Sequence, residues 1–240
     1  MKMDTKTNST PKVSIVIIGK NRSEIREWEE RISNQSYENY EICYSTKPGI
    51  PQAWNDALGK VSGDIVLFTE TDAHPLDNEW LEKIARNYSK NHEGVVHFGE
   101  FRGYNPFNFS NTAVSSDLIT QYELSESFPI GEDSELFARM DKDGVDFDHD
   151  LSAPVYHEPK SSDKLLSRGF QYGKVKARCA HQHGRLGPSK NTENAVVSEN
   201  EKSKIKFFTD RVGDILVDRI AGALFIVGFV YEYLKIRLQS

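Results

Sequence analysis

The sequence predicts an α/β fold: a mostly parallel sheet flanked by helices, with a helical appendage at its C-terminal end. Short runs at 13–18, 40–45 and 65–68 are rich in β-branched and aromatic residues and largely apolar, as strands covered on both faces are. The segments between them carry apolar residues at helical spacing. Alternation of that kind implies parallel strands joined by crossover helices. The appendage follows from a change of composition. Residues 184–204 hold almost no apolar side chains, whereas 220–231 are apolar without interruption.

Taken in order, residues 1–12 read as a polar disordered tail and 13–18 as the first strand, broken only by Ser14. The loop Gly19-Lys20-Asn21-Arg22 follows at that strand's carboxyl end. A helix over 23–33 places Ile25, Trp28 and Ile32 on one face, with Ser23 as its N-cap. The second strand, 40–45, runs into the rigid turn Lys-Pro-Gly-Ile-Pro, and Pro51 opens a helix with Trp54, Ala57 and Leu58 inward. After the strand at 65–68, a helix at 78–88 carries Trp80, Leu81, Ile84 and Tyr88. Residues 95–101 read as a strand and 102–112 as an aromatic loop. In that loop Tyr104 and Phe107 are either a rim for a ligand ring or packing over the sheet edge.

Gly131 then punctuates, and Asp133, Leu136, Phe137 and Met140 share one face of the next helix, with Glu132 turned toward Glu135 and Arg139. Short strands at 145–147 and 153–156 surround Asp148-His149-Asp150, and His157 ends the second. Residues 161–183 read as a basic helix and 184–204 as a flexible linker. The apolar centre of 205–240 is too short for a bilayer span of about 20 residues. It reads as an amphipathic helix that meets a membrane interface or a partner copy, or as a core helix closing the domain.

Composition narrows the functions. Thirty Lys and Arg against 36 Asp and Glu give a net charge of −6, which argues against nucleic-acid binding. Eleven acids lie between Asp117 and Asp150, and eight bases between Lys160 and Lys190. An acidic segment followed by a basic one suits a site for a metal and a polyanion, as it suits solvated helix faces. Two cysteines, Cys43 and Cys179, make neither a disulfide framework nor a zinc site. The N-terminal residues lack the apolar core of a cleaved signal peptide, so a cytoplasmic protein is expected.

The chemistry concentrates at Glu70-Thr71-Asp72, at the carboxyl end of the third strand, where open α/β sheets bind ligands. Two carboxylates there are hard ligands for Mg²⁺ or Mn²⁺, and such an ion lets them hold a diphosphate they would otherwise repel. A polar strand-to-loop turn has the same sequence. His157 is a third ligand candidate. Arg168, Lys174 and Arg178 are candidates to clamp phosphate.

The order and spacing of several stretches resemble family 2 glycosyltransferases of the GT-A fold, a Rossmann-like architecture, over most of residues 13–183. They are Val-Ser-Ile-Val-Ile-Ile-Gly-Lys-Asn-Arg, Gln35-Ser-Tyr-Glu-Asn-Tyr-Glu-Ile, Gly49-Ile-Pro-Gln-Ala-Trp-Asn-Asp-Ala-Leu, Ser62-Gly-Asp-Ile-Val-Leu-Phe-Thr-Glu-Thr-Asp-Ala and Gly131-Glu-Asp-Ser-Glu-Leu. The resemblance implies a nucleotide-sugar donor, a divalent cation (Mn²⁺ or Mg²⁺) and inverting transfer to an acceptor hydroxyl; the apolar stretch in 205–238 adds the expectation of a lipid-linked or surface-glycan acceptor at the cytoplasmic membrane face. It places Glu70 and Asp72 on the metal motif, His157 on a metal-binding histidine and Asp133 on the base. Gly19, Lys20, Asn21, Arg22, Asn55 and Thr71 fall on the donor side; Glu132, Tyr104 and Phe107 fall on the acceptor side. Two departures stand out. Glu70 replaces the first Asp of the metal motif, and no acid follows the second strand to hold a nucleobase, since Cys43-Tyr-Ser-Thr-Lys-Pro leads directly to Gly49. The shortened base region also suits a non-catalytic nucleotide- or sugar-binding subunit that keeps the fold.

Overall fold

A computed structural model of the chain describes residues 10–91, 93–100, 107–157, 162–184 and 212–239. In chain order its elements are β1 (Val13–Ile18), α1 (Arg22–Ile32), β2 (Tyr40–Ser45), α2 (Ile50–Leu58), β3 (Ile65–Glu70), β4 (Ala73–Pro75), α3 (Trp80–Asn91), β5 (Val95–His97), β6 (Asn111–Ser115), α4 (Ser116–Ile119), α5 (Glu132–Lys142), β7 (Phe147–His149), β8 (Val155–His157), α6 (Ser162–His183) and α7 (Val212–Gln239). Six strands form one sheet in the order β2-β1-β3-β6-β5-β7. Only β6 runs against its neighbours.

Side chains alternate across the sheet because successive Cβ atoms point to opposite faces. Val13, Ile15, Ile17, Ile65 and Leu67 therefore pack on one side with Ile25 and Trp28 of α1 and Trp80 and Ile84 of α3. Val16, Val66 and Phe68 pack on the other with Trp54 of α2, Phe109, and Leu136 and Phe137 of α5. Covering both faces is what makes the strand sequences apolar throughout.

Three expectations are corrected. The N-cap of α1 is Asn21, not Ser23: its Oδ1 accepts the Glu24 amide at 3.1 Å, while the Ser23 hydroxyl also donates to that oxygen. Residues 111 and 112 are not loop but open the buried strand β6, and the Asn111 side chain donates to the carbonyls of Gly99 and Ala153. The proposed tail is tied down at its end, where Lys12 pairs with Glu41 at 2.6 Å and its carbonyl accepts the amides of Asp64 and Ile65. The linker assignment, apart from Gly184, and Tyr104 lie outside the described residues. The expected C-terminal helix is α7. It runs alongside α6 in the same direction, and glycines let the two backbones touch: a Cβ at Gly173 would stand 1.9 Å from the Phe225 carbonyl oxygen, and one at Gly228 2.0 Å from that of Phe170. No helix among the described residues is long and apolar enough to cross a membrane.

Candidate active site

The carboxyl ends of β1 and β3 lie side by side, Ile18 opposite Glu70, and a second, two-stranded sheet places a histidine beside them. After Glu70 and a turn at Thr71 and Asp72, β4 pairs antiparallel with β8 in a register that sets Ala73 opposite His157. The turn is anchored by the Trp28 indole, which donates to the Ala73 carbonyl at 2.9 Å. His157 thus lands beside the two acids although 85 residues of chain separate it from Asp72. Its Nε2 is 3.2 Å from Glu70 Oε2 and 3.2 Å from Asp72 Oδ1.

The imidazole is held from behind. His157 Nδ1 is 3.0 Å from Glu100 Oε2, and the other Glu100 oxygen accepts from Asn108 Nδ2 at 2.6 Å and Ser110 Oγ at 2.5 Å. Glu100 arrives there through a bridge to Val155, two residues before His157. Burial and then the bond from His157 act on its carboxyl in opposite senses, and the bonds win, lowering it to about 2. For His157, burial opposes the proton, but Asp72, Glu100 and Glu70 raise its pKa to about 11. A metal must therefore displace that proton.

The fit to a divalent ion rests on the donor set and its spacing. One ligand atom from each of Glu70, Asp72 and His157 can be chosen so that all lie within 4.8 Å of one another. Neighbouring ligands at about 2.1 Å from an octahedral ion stand about 3 Å apart, close to the contacts seen. His157 Nε2 is buried and lacks a well-directed hydrogen bond, while Glu70 and Asp72 are 37% and 38% exposed toward the cleft. Two carboxylates and an imidazole are a set that Mn²⁺ and Mg²⁺ accept.

The N-terminus of α5 lies within electrostatic range of Glu70. Gly131 begins the helix in the left-handed region, φ 73°, and Val175 of α6 packs so closely that a Cβ there would stand 2.6 Å from its Cγ1. Asp133 follows, with its Oδ1 accepting the Ser134 amide at 2.5 Å. Burial raises its pKa; the charge of Glu70 pushes the same way, and Lys176 of α6 pulls back. Burial likewise raises Glu132, followed by the charges of Asp133 and Glu70. Both acids feel Glu70, so the metal-ligand candidates and the base candidate share one electrostatic site. It is Glu135, not Glu132, that pairs with Arg139, at 2.7 Å.

Other expected site residues have structural work. Asn55 spends both ends of its amide on the Leu124 backbone, at 2.9 Å each, instead of facing a donor. Arg22 grips Glu29 with two bonds of 2.9 and 2.8 Å and stacks over Tyr44; Asn21 caps α1; the Gly19 amide bonds the Ser45 carbonyl. Lys20 is exposed in the same loop, and Thr71 sits half-buried between the two acids. Phe107 is not on a rim but in the core, against Phe137, Phe147 and His149. Of the phosphate-clamp candidates, Arg178 and Lys174 both turn to Glu232 of α7, at 2.7 and 3.9 Å. Arg168 is half-buried on α6. Sequence reasoning did not single out Glu100 or Lys176. Glu100 ends an apolar run, a signal of the same kind as Glu70; Lys176 is one cation among several in a basic helix, with nothing local to mark it.

No family model matches the chain, and no curated protein matches it in sequence. Solved structures match its fold. The mannosyltransferase PcManGT from Pyrobaculum calidifontis, in complex with GDP-Man and Mn²⁺, superposes with a TM-score of 0.65 at 14% identity, over 95% of this chain and 88% of that one. Residues 1–349 of TarS from S. aureus give 0.52 at 13% identity, over 95% and 92%. Glucosyl-3-phosphoglycerate synthase from Mycobacterium tuberculosis, in complex with phosphoglyceric acid, gives 0.52 at 16%, over 72% and 80%. The likeness at these identities is one of architecture: the chain has the GT-A fold.

Proposed function

We propose that this chain is a metal-dependent glycosyltransferase that moves a sugar from a nucleotide-sugar donor to an acceptor hydroxyl, with inversion at the anomeric carbon. The observation that supports the reading is the cluster of Glu70, Asp72 and His157, within electrostatic range of the α5 acids. The fold adds support, because similar structures include one solved with GDP-Man and Mn²⁺. Glu70, Asp72 and His157 would hold the ion, and Glu100 would fix the imidazole. When bound, the ion supplies a Lewis acid for the charge that develops on a departing diphosphate.

The protein's own part is positional and electrostatic. Asp133 accepts the proton of the attacking hydroxyl; burial and the nearby Glu70 charge keep its carboxylate basic enough for that role, which is typically worth about 10²–10⁴ in rate. Lys176 lies where it offsets negative charge gathering between α5 and the cleft. A single base, with no second carboxylate used as nucleophile, gives inversion.

The test is transfer from a panel of nucleotide-sugars to water or simple acceptors, by wild type and Asp133→Asn. The reading expects turnover that a chelator abolishes, and an Asp133→Asn variant that still binds donor but turns over at least 100-fold more slowly. Full turnover with chelator present would refute the metal role. A donor that binds without any turnover would favour a non-catalytic binding subunit.

A further inference from the structure

We infer that the outward face of α7 seats the protein on an anionic bilayer surface. One side of α7 is used up: Gly228 meets α6, and Glu232, 3% exposed, turns inward to Arg178. On the arc away from α6, Ile220, Ile226, Val227, Val230, Tyr233, Leu234 and Leu238 are between 43% and 87% exposed, and Tyr231, 53% exposed, lies on the flank with its ring 5.9 Å from that of Phe170 in α6. At roughly 100 Å² apiece these eight side chains present on the order of 800 Å², above the 300–600 Å² of the largest apolar patch on a typical monomer.

Three features choose lipid over a second copy of the chain. The exposed positions spread over about half the helix circumference, whereas a helix–helix seam uses a narrow stripe of positions repeating every 3.5 residues. Protein interfaces carry a polar rim around their apolar centre, but from Ile220 to Leu234 the exposed side chains of α7 include no charge among the described residues. Among the described side chains of the helix the exposed charges are Lys235 and Arg237, both cationic on a chain of net charge −6. Cations at the end of an apolar face, with tyrosines beside them, match the headgroup and acyl layers of an anionic membrane. The helix lies on that surface instead of crossing it, since it lacks the apolar length of a span.

The placement has a consequence for the acceptor, which rests on the glycosyltransferase reading. α6 packs α7 on one side and, through Val175 and Lys176, borders the α5 wall of the cleft on another. A bilayer under α7 therefore lies about two helix diameters, roughly 20 Å, from the α5 side of the site. An acceptor on a lipid-linked glycan that projects by that distance is within reach.

The experiment is flotation of the full chain with vesicles of phosphatidylcholine alone or mixed with phosphatidylglycerol. Binding is expected to the mixed vesicles, to fall at least tenfold in Ile226→Glu with Val230→Glu, and to lose its preference for phosphatidylglycerol in Lys235→Gln with Arg237→Gln. Each variant is also checked for the nucleotide- and Mn²⁺-dependent thermal shift of the wild type, or for an unchanged circular dichroism spectrum, so that misfolding is not read as lost binding. Wild-type protein that stays unbound, binding that the substitutions leave intact, or a dimer in light scattering that the glutamates dissociate without any vesicle binding would each overturn the inference. A flat nucleotide panel with vesicle binding preserved would sink the enzyme reading and leave this surface standing.

Discussion

At the scale of single residues, the arrangement around His157 makes a graded prediction. Removing a ligand candidate, as in Asp72→Asn, should abolish Mn²⁺ binding measured by calorimetry. Glu100→Gln should leave the three ligand candidates in place but slacken the imidazole, and outer-shell partners of this kind are worth about 10–100-fold in metal affinity. If Glu100→Gln binds Mn²⁺ as tightly as wild type, the buried carboxylate only fills space. Glu132 supplies a pH test with a definite sign. Its pKa is raised on folding, first by burial and then by Asp133 and Glu70, so its contribution to stability is intact below the ordinary carboxyl value of about 4.3 and is lost as pH rises above it. Glu132→Gln should therefore raise Tm at neutral and higher pH, with the gain vanishing toward pH 4. A gain that grew as pH fell would mean the charge is favourably held.

At the scale of elements, the α6–α7 contact is the most exposed to a single change. Backbone meets backbone at Gly173 and Gly228, with 1.9 and 2.0 Å left for an added Cβ. Gly228→Val should cost about 1–3 kcal/mol, the usual range for overpacking, and should separate the Arg178–Glu232 pair; a denaturation midpoint equal to wild type would contradict the packing. Elements also differ in how readily the sequence reveals them. β1 and β2 were legible to the residue, β1 because a strand covered on both faces is apolar, here at all but Ser14, and β2 because Tyr40, Ile42 and Tyr44 favour a strand ahead of the Lys-Pro-Gly turn. β6 was not, because Asn111 and Thr112 look like loop residues. Their polarity is satisfied inside, Asn111 by the carbonyls of Gly99 and Ala153 and Thr112 by His97 Nδ1 at 2.9 Å. Tertiary partners made a strand where local preference indicated none.

At the scale of the whole molecule, the acids and the histidine were legible because they end apolar runs, where a sheet delivers side chains to a ligand cleft. What the sequence withheld was which cations face that cleft. Arg178 and Lys174 looked like phosphate ligands until α7 supplied Glu232, and Lys176 was one of several until α6 was seen against Gly131. Helical spacing alone cannot say which neighbour a face will meet. The central claim is that distant parts of the chain meet in one cleft where a divalent ion makes nucleoside diphosphate binding possible. Thermal unfolding against a panel of nucleoside diphosphates, each with and without Mn²⁺, tests it most directly. Ligand at about 100 times its Kd stabilises by about 2.7 kcal/mol, which at about 2–4 °C per kcal/mol for a chain of this size is a shift of roughly 5–10 °C. The account predicts such a shift for at least one nucleotide, only with Mn²⁺ present, and none in Asp72→Asn; an equal shift without metal, or one that survives in Asp72→Asn, would contradict it.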